Sequence, residues 1–262
     1  MTTLTLTQDK GVATLTLSRP EVRNAFNAEL IAELTAHVQQ LAQASDVRVL
    51  VLRAAGEHFS AGADLNWMRS MKDHSQQQNQ EDAGRLATLM RTLDECPKPL
   101  VGIANGAAMG GGVGLLACCD IVLASPNAFF ALSEVRLGLT PATISPFVVR
   151  AMGARQARRY FQTGERFNAT QAQALGLVHE VVPDAELEAR LAVLLTDLLA
   201  GGPEAQQMAK QLVKTVAEQP VSDELMADLA QRIGKQRVGA EGQEGLSAFL
   251  EKRKASWLES GS

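Results

Sequence analysis

Two short stretches of small residues and one glutamate carry the chemistry that this sequence offers. The first stretch is Ala108-Met109-Gly110-Gly111-Gly112-Val113-Gly114. It follows the apolar run Leu100 to Ala104 across an Asn105-Gly106 turn signal and leads into Val113 to Cys118, which reads as the first turns of a buried helix. A strand, a glycine cluster and a helix start leave free backbone N–H groups at the positive end of a helix dipole. An anion, or an oxygen that becomes one, is stabilised there. Glycine also lets a ligand approach the main chain with no Cβ in the way. A tight strand-to-helix turn has the same composition, so the cluster alone does not choose between the two. No Lys-Ser/Thr follows to make a Walker loop, and no Gly-x-Gly-x-x-Gly dinucleotide fingerprint fits the spacing.

The second stretch, Phe59-Ser60-Ala61-Gly62-Ala63-Asp64-Leu65, follows the apolar run Val47 to Leu52 and also ends just before a helical pattern. Two strand ends, each feeding a small-residue loop into a helix, can aim two N–H donors at one carbonyl oxygen, which is an oxyanion hole. Glu134 lies beyond the apolar run Phe129 to Leu132, where burial would raise its pKa toward a useful acid–base range. A surface or salt-bridged glutamate is the competing reading. Asp64, just before a helix, reads first as a cap for that helix.

The elements that must position these groups follow from periodicity. Thr3 to Thr7 and Val12 to Leu17 alternate around Gly11 as a hairpin. Asn27 can cap a helix from Ala28 to about Ala44 with Leu30, Ile31, Leu34, Val38 and Leu41 on one stripe. Strands follow at Val47 to Ala54, Leu100 to Ala104, Ile121 to Ala124 and Phe129 to Leu132, the continuous apolar ones being typical of buried parallel strands. A short helix is expected over Leu65 to Met71, then a mobile polar run from Asp73 to Gln80, then helix again from Glu81 to Leu93. Thr140-Pro141-Ala142-Thr143 opens a helix from Ile144 to Met152, closed by Gly153, and the chain from Asp184 onward is almost entirely helical. An α/β core with a helical tail results.

Composition sets outer bounds. The 262 residues suit one domain with a helical appendage, with 46% hydrophobic and 21% charged residues. A net charge of −4 advertises no nucleic-acid surface. Three cysteines, two of them adjacent at Cys118-Cys119, make neither a disulfide framework nor a metal spacing and read as buried thiols in a reducing compartment. His37, His58, His74 and His179 are scattered, and no metal site is expected. The start shows no basic or apolar leader and no run reaches membrane length, so a cytoplasmic location and no membrane partner are expected.

Taken in order, Arg23-Asn24-Ala25-Phe26-Asn27, Phe59 to Asp64, Gly110-Gly111-Gly112, Cys119-Asp120-Ile121, Phe130-Ala131-Leu132-Ser133-Glu134 with Gly138, and Gly245 to Lys254 resemble the crotonase family, the enoyl-CoA hydratases and isomerases. The resemblance spans nearly the whole chain. It implies a spiral of ββα turns over residues 1–195 that binds acyl-CoA, and a helical trimerisation region over 196–262, assembled as a homotrimer or a dimer of trimers. It implies that Ala63 and Gly111 donate the two N–H groups to a thioester oxygen and that Glu134 is the acid/base. One such donor is typically worth about 3–4 kcal/mol in the transition state. Arg23, Asn24 and Ala25 would line the CoA entrance, Ala61 would meet the adenine, and Lys252 would reach a CoA phosphate unless it is only a solvated charge. Gly62, Asp64, Leu65, Trp67, Met68, Met109, Gly114, Leu132 and Phe147 are further candidates around the substrate, the large apolar ones being equally at home in a core. Coenzyme A arrives as part of the substrate, and no separate cofactor is implied.

The chain departs from the family pattern at Gly114, where typical hydratases carry a second glutamate, and again over Leu139 to Phe147. Either Glu134 serves both proton steps, with water entering the space beside Gly114, or water is not a substrate. The departures themselves resemble bacterial hydratases of 3-methylglutaconyl-CoA or isohexenylglutaconyl-CoA in leucine or acyclic-terpene breakdown. The expected reaction is therefore hydration of a branched glutaconyl-CoA. A single-base enoyl-CoA isomerase and a non-catalytic acyl-CoA scaffold are the alternatives.

Overall fold

A computed structural model of the chain describes residues 3–217 and 219–258. Among these the strands are β1 (Leu4–Asp9), β2 (Val12–Leu17), β3 (Val49–Ala54), β4 (Leu100–Ala104), β5 (Ala107–Met109), β6 (Ile121–Ala124), β7 (Phe129–Ala131), β8 (Phe167–Asn168) and β9 (Glu180–Val181). The helices are α1 (Ala28–Gln43), α2 (Leu65–Asp73), α3 (Gln76–Asp94), α4 (Gly111–Ala117), α5 (Ser145–Met152), α6 (Ala154–Thr163), α7 (Ala169–Ala174), α8 (Leu187–Ala200), α9 (Pro203–Val216), α10 (Asp223–Val238) and α11 (Ala240–Leu250).

β1 and β2 form the antiparallel hairpin, turning through Lys10 and Gly11 at φ 45° and 79°. Positive φ at both turn residues matches the right-handed twist of the strands they join. Every later strand of the main sheet then adds in parallel, giving the order β1-β2-β3-β4-β6-β9. A second, small sheet pairs β5 with β7 in parallel and β7 with β8 antiparallel. Asn27 caps α1 by accepting the Leu30 N–H at 2.9 Å, and all five stripe residues of that helix are buried. One face of the main sheet packs into the large core with α1, α3 and α4; the other carries Val49, Val51, Val101, Ile103 and Leu123 against Leu187, Leu191 and Leu194 of α8.

The structure differs from the sequence reading in three places. The polar run at 73–80 is largely helical: α2 extends to Asp73, Ser75 and Gln78 form a reciprocal capping box, and α3 starts at Gln76. The helix satisfies its first N–H groups locally, so it needs no apolar residue to begin. β5 was hidden in the glycine-rich stretch, three residues long and with no alternation to mark it. The boundary expected at residue 195 falls inside α8, and the first break in helix comes at Gly201-Gly202.

The C-terminal helices differ from the core. Neither α9 nor α10 contains a buried residue, and Phe249 and Leu250 of α11 are 82% and 76% exposed. Lys210 and Lys214 hold α9 to the core through Asp120 and Asp94, each at 2.7 Å. Among the described residues no helix is long and apolar enough to cross a membrane.

Candidate active site

Two isolated bridges lay the small-residue segments side by side: Phe26 pairs with Ala63, and Ser60 with Ala108. In the first, the Phe26 N–H donates to the Gly62 carbonyl at 2.7 Å and the Asp64 N–H to the Phe26 carbonyl at 2.8 Å. This pattern leaves the N–H of Ala63 itself unused. In the second, Ser60 N–H meets the Ala107 carbonyl and Met109 N–H meets the Ser60 carbonyl, both at 2.9 Å. Gly111 is the first residue of α4, so its N–H has no carbonyl a turn earlier to bond. Among the described residues, neither the Ala63 nor the Gly111 N–H donates to another backbone group.

Side chains fix the Ala61–Asp64 loop. Ser60 is fully buried; its hydroxyl donates to the Asn24 carbonyl at 2.8 Å and accepts the Gly62 N–H at 3.2 Å. Asp64 caps α2 by accepting the Asn66 and Trp67 N–H groups, and its other oxygen takes Arg19 at 2.9 Å. Burial pushes the Asp64 pKa up, but Arg19 and the two helix N–H groups outweigh it and hold the carboxyl below its ordinary value. Sequence reading missed Arg19, which also donates to the Ala25 carbonyl at 2.6 Å; its partners lie in other segments, so no local pattern marks it.

Glu134 sits in a 3-10 turn, Ser133–Leu137, directly after β7. The β5–β7 ladder pairs Met109 with Ala131, and Gly110 N–H extends it to the Ala131 carbonyl at 2.9 Å. That register lays Glu134 over Gly110, where a Cβ would stand 3.0 Å from Glu134 Oε1. Gly110 adopts φ 51°, a conformation that favours glycine. The other oxygen, Oε2, is buried with no hydrogen-bond partner among the described residues. Burial raises the Glu134 pKa, opposed only by a hydrogen bond to its own backbone. A carboxyl raised by burial beside free N–H donors can give and take a proton at a carbon next to a polarised carbonyl.

The remaining candidates separate. Asn24 is fully buried and spends its side chain on the scaffold, donating to the Ala55 and His58 carbonyls and accepting the Arg19 N–H, each at 2.8 Å. It therefore shapes the loop instead of lining an entrance, and Ala25 is also buried. Arg23 is exposed at φ 55°, and its carbonyl accepts the Ala61 N–H at 2.9 Å, so those two residues adjoin. Leu132 is wholly within the core, whereas Trp67, Met68, Met109 and Phe147 are half-buried and Leu65 is 70% exposed. Lys252 is exposed just beyond α11 and forms no ion pair among the described residues. His58 and His179 accept backbone N–H groups from Ala107 and Val122.

Gly114 requires a correction. The space expected there is filled: a Cβ on Gly114 would lie 2.3 Å from Ile144 Cγ2 and 3.2 Å from Met90 Cε. Ile144 comes from a segment thirty residues further on, and nothing local announces the contact.

Comparison with known proteins agrees with this architecture. Residues 7–260 match the family model described as enoyl-CoA hydratase/isomerase. A solved enoyl CoA hydratase/isomerase (crotonase) of Legionella pneumophila superposes with a TM-score of 0.94 at 43% identity, over 98% of this chain and 99% of that one. An enoyl-CoA hydratase of Shewanella pealeana gives 0.95 at 42% identity, over 98% and 96%. The 2,3-dehydroadipyl-CoA hydratase of Escherichia coli is 36% identical over 97% of both chains. The chain belongs to the enoyl-CoA hydratase/isomerase family. More particularly, it is an enzyme of the enoyl-CoA hydratase type, and its substrate is an acyl-CoA thioester.

Proposed function

We propose that the chain hydrates a branched glutaconyl-CoA, an enoyl-CoA whose acyl tail ends in a carboxylate, with Glu134 serving both proton steps. The observation that carries this reading is the buried, partly unpartnered Glu134 carboxyl over Gly110, one residue from the unused Gly111 N–H. With the thioester oxygen held by the Ala63 and Gly111 N–H groups, negative charge grows on that oxygen as water adds to the β-carbon. Glu134 takes a proton from the water and returns one to the α-carbon. A carboxylate-tailed substrate is supported by the relative named for 2,3-dehydroadipyl-CoA, whose acyl group also carries a distal carboxylate. Arg69, which donates to Asn66 at 2.8 Å, and Arg136 are proposed to meet the tail, since Arg150 is held by a charged partner, Asp94. Arg23, Ala61 and Lys252 are proposed for the CoA moiety, in a trimer or a pair of trimers that covers the exposed apolar residues of α9–α11.

One observation favours a second reading. Ile144 over Gly114 puts hydrocarbon where a second carboxylate would hold water, as suits an isomerase that moves one proton between carbons. The deciding experiment runs glutaconyl-CoA and its 3-methyl derivative in heavy-oxygen water with wild type and Glu134→Gln. Label in the product, and a fall in turnover of at least roughly a hundredfold in the variant, are expected. Double-bond migration without label would replace the hydratase by the isomerase, and a fully active variant would remove Glu134 from the chemistry.

A further inference from the structure

Gly110 caps α4 in a non-helical conformation, φ 51° and ψ −114°, and Gly114 lies one turn on, joined to it by the Gly114 N–H to Gly110 carbonyl bond of 3.1 Å. Side chains from elsewhere lie over both glycines. Glu134 Oε1 occupies the space over Gly110, and Ile144 the space over Gly114, with its Cβ 2.8 Å and its Cγ2 2.3 Å from where a Cβ would be. Ile144 is 2% exposed and packs in the large core with Met90 and Val148. It is therefore held against α4 and cannot swing clear without opening a cavity. A carboxyl thus fills the space over Gly110 and a hydrocarbon the space over Gly114, four residues apart in the chain.

We propose that Ile144 is a specificity-determining residue: it stands in for the side chain that position 114 lacks, leaves Glu134 as the sole proton carrier, and withholds a second water acceptor. The proposal rests on Glu134 as the acid/base, as argued above. In hydration, a water O–H bond breaks, its oxygen bonds the β-carbon and a proton reaches the α-carbon. With hydrocarbon over Gly114, the substrate's own carboxylate must help hold that water. Short enoyl groups without one, such as crotonyl, are then poor substrates because of Ile144. Shaving the side chain should admit water to the wall and relax the requirement.

The test uses full-length Ile144→Ala, Gly114→Ala and the double variant, with crotonyl-CoA and glutaconyl-CoA as probes in heavy-oxygen water. Gly114→Ala should lower Tm by several degrees, through overpacking against Ile144, and the same change in the Ile144→Ala background should lower it far less. Ile144→Ala should raise labelled crotonyl-CoA hydration roughly tenfold relative to glutaconyl-CoA, the scale expected for a removed apolar group. The acid limb of its pH–kcat profile should move to lower pH, because water now reaches Glu134; a residue that only packs the core would not move that limb. Gly114→Ala tolerated with Ile144 in place, or an unchanged substrate ratio and pH profile in Ile144→Ala, overturns the proposal. If wild type turns over neither probe, the reading of function fails by itself, and the Tm pair still decides whether Ile144 fills position 114.

Discussion

The two loops that meet at the site are built by opposite means. The Ala61–Asp64 loop is tied by side chains: Ser60 and Asn24 to backbone groups, Asp64 to Arg19 and to the start of α2. The Gly110–Gly112 loop has no side chain of its own, and its neighbours crowd in where one would be. A Cβ on Gly111 would meet the Phe26 ring at 3.1 Å, and one on Gly112 would meet Ser60 Cβ at 3.1 Å. A loop braced by many bonds weakens by degrees as they are removed. A loop defined by absent side chains fails at the first one added.

The sharpest way to break this contrast is Gly111→Val. The added methyl groups must displace Phe26 or the loop, and loss of one donor typically costs about 10²–10³ in kcat. Steady-state kinetics on a variant whose circular dichroism matches wild type checks this, and intact turnover would show that the Gly111 N–H is not used. On the braced loop, Asn24→Ala should act first on stability. It strands two carbonyls and one N–H in a buried place, for a loss of about 3 kcal/mol by denaturant titration. A loss below about 1 kcal/mol would mean that water replaces the amide there.

The smallest expected effect concerns Glu134, which belongs to neither loop but depends on the bare one. Its folded-state pKa is raised by burial. The stability linked to its proton is therefore fully present below the unfolded value and is lost as pH rises through the folded one. Glu134→Gln cannot ionise, so its Tm relative to wild type should climb between pH 4 and pH 8. Parallel Tm curves for the two proteins would mean that the carboxyl is well solvated.

What the sequence makes legible is whatever repeats or sits locally. The stripe on α1 and the alternation in β2 announce their own burial, and glycine beside a strand end announces a close approach. The capping box at Ser75 and Gln78 was also present to be read, but the glutamine-rich run around it carries no apolar stripe until Leu86, Leu89, Met90 and Leu93. Of the candidate site, the two small-residue segments and Glu134 could be picked out from the sequence, since each comes after an apolar run. The site was not legible in Arg19, in the inward turn of Asn24, or in Ile144 over Gly114, since each depends on segments that meet only in the folded chain.

The two bridges that align the loops carry a consequence for how the molecule forms. Phe26 reaches Ala63 only after α1 and β3 are in place, and Ser60 reaches Ala108 only after α2, α3 and β4 have been threaded between them. Each bridge closes a long stretch of chain, whose entropy is lost before its few hydrogen bonds are gained. The β1–β2 hairpin and the helices can form from neighbouring residues, whereas every parallel pairing in the main sheet is non-local. On refolding, helical signal should therefore return before catalysis does, which makes enzyme activity a reporter of the last contacts to close.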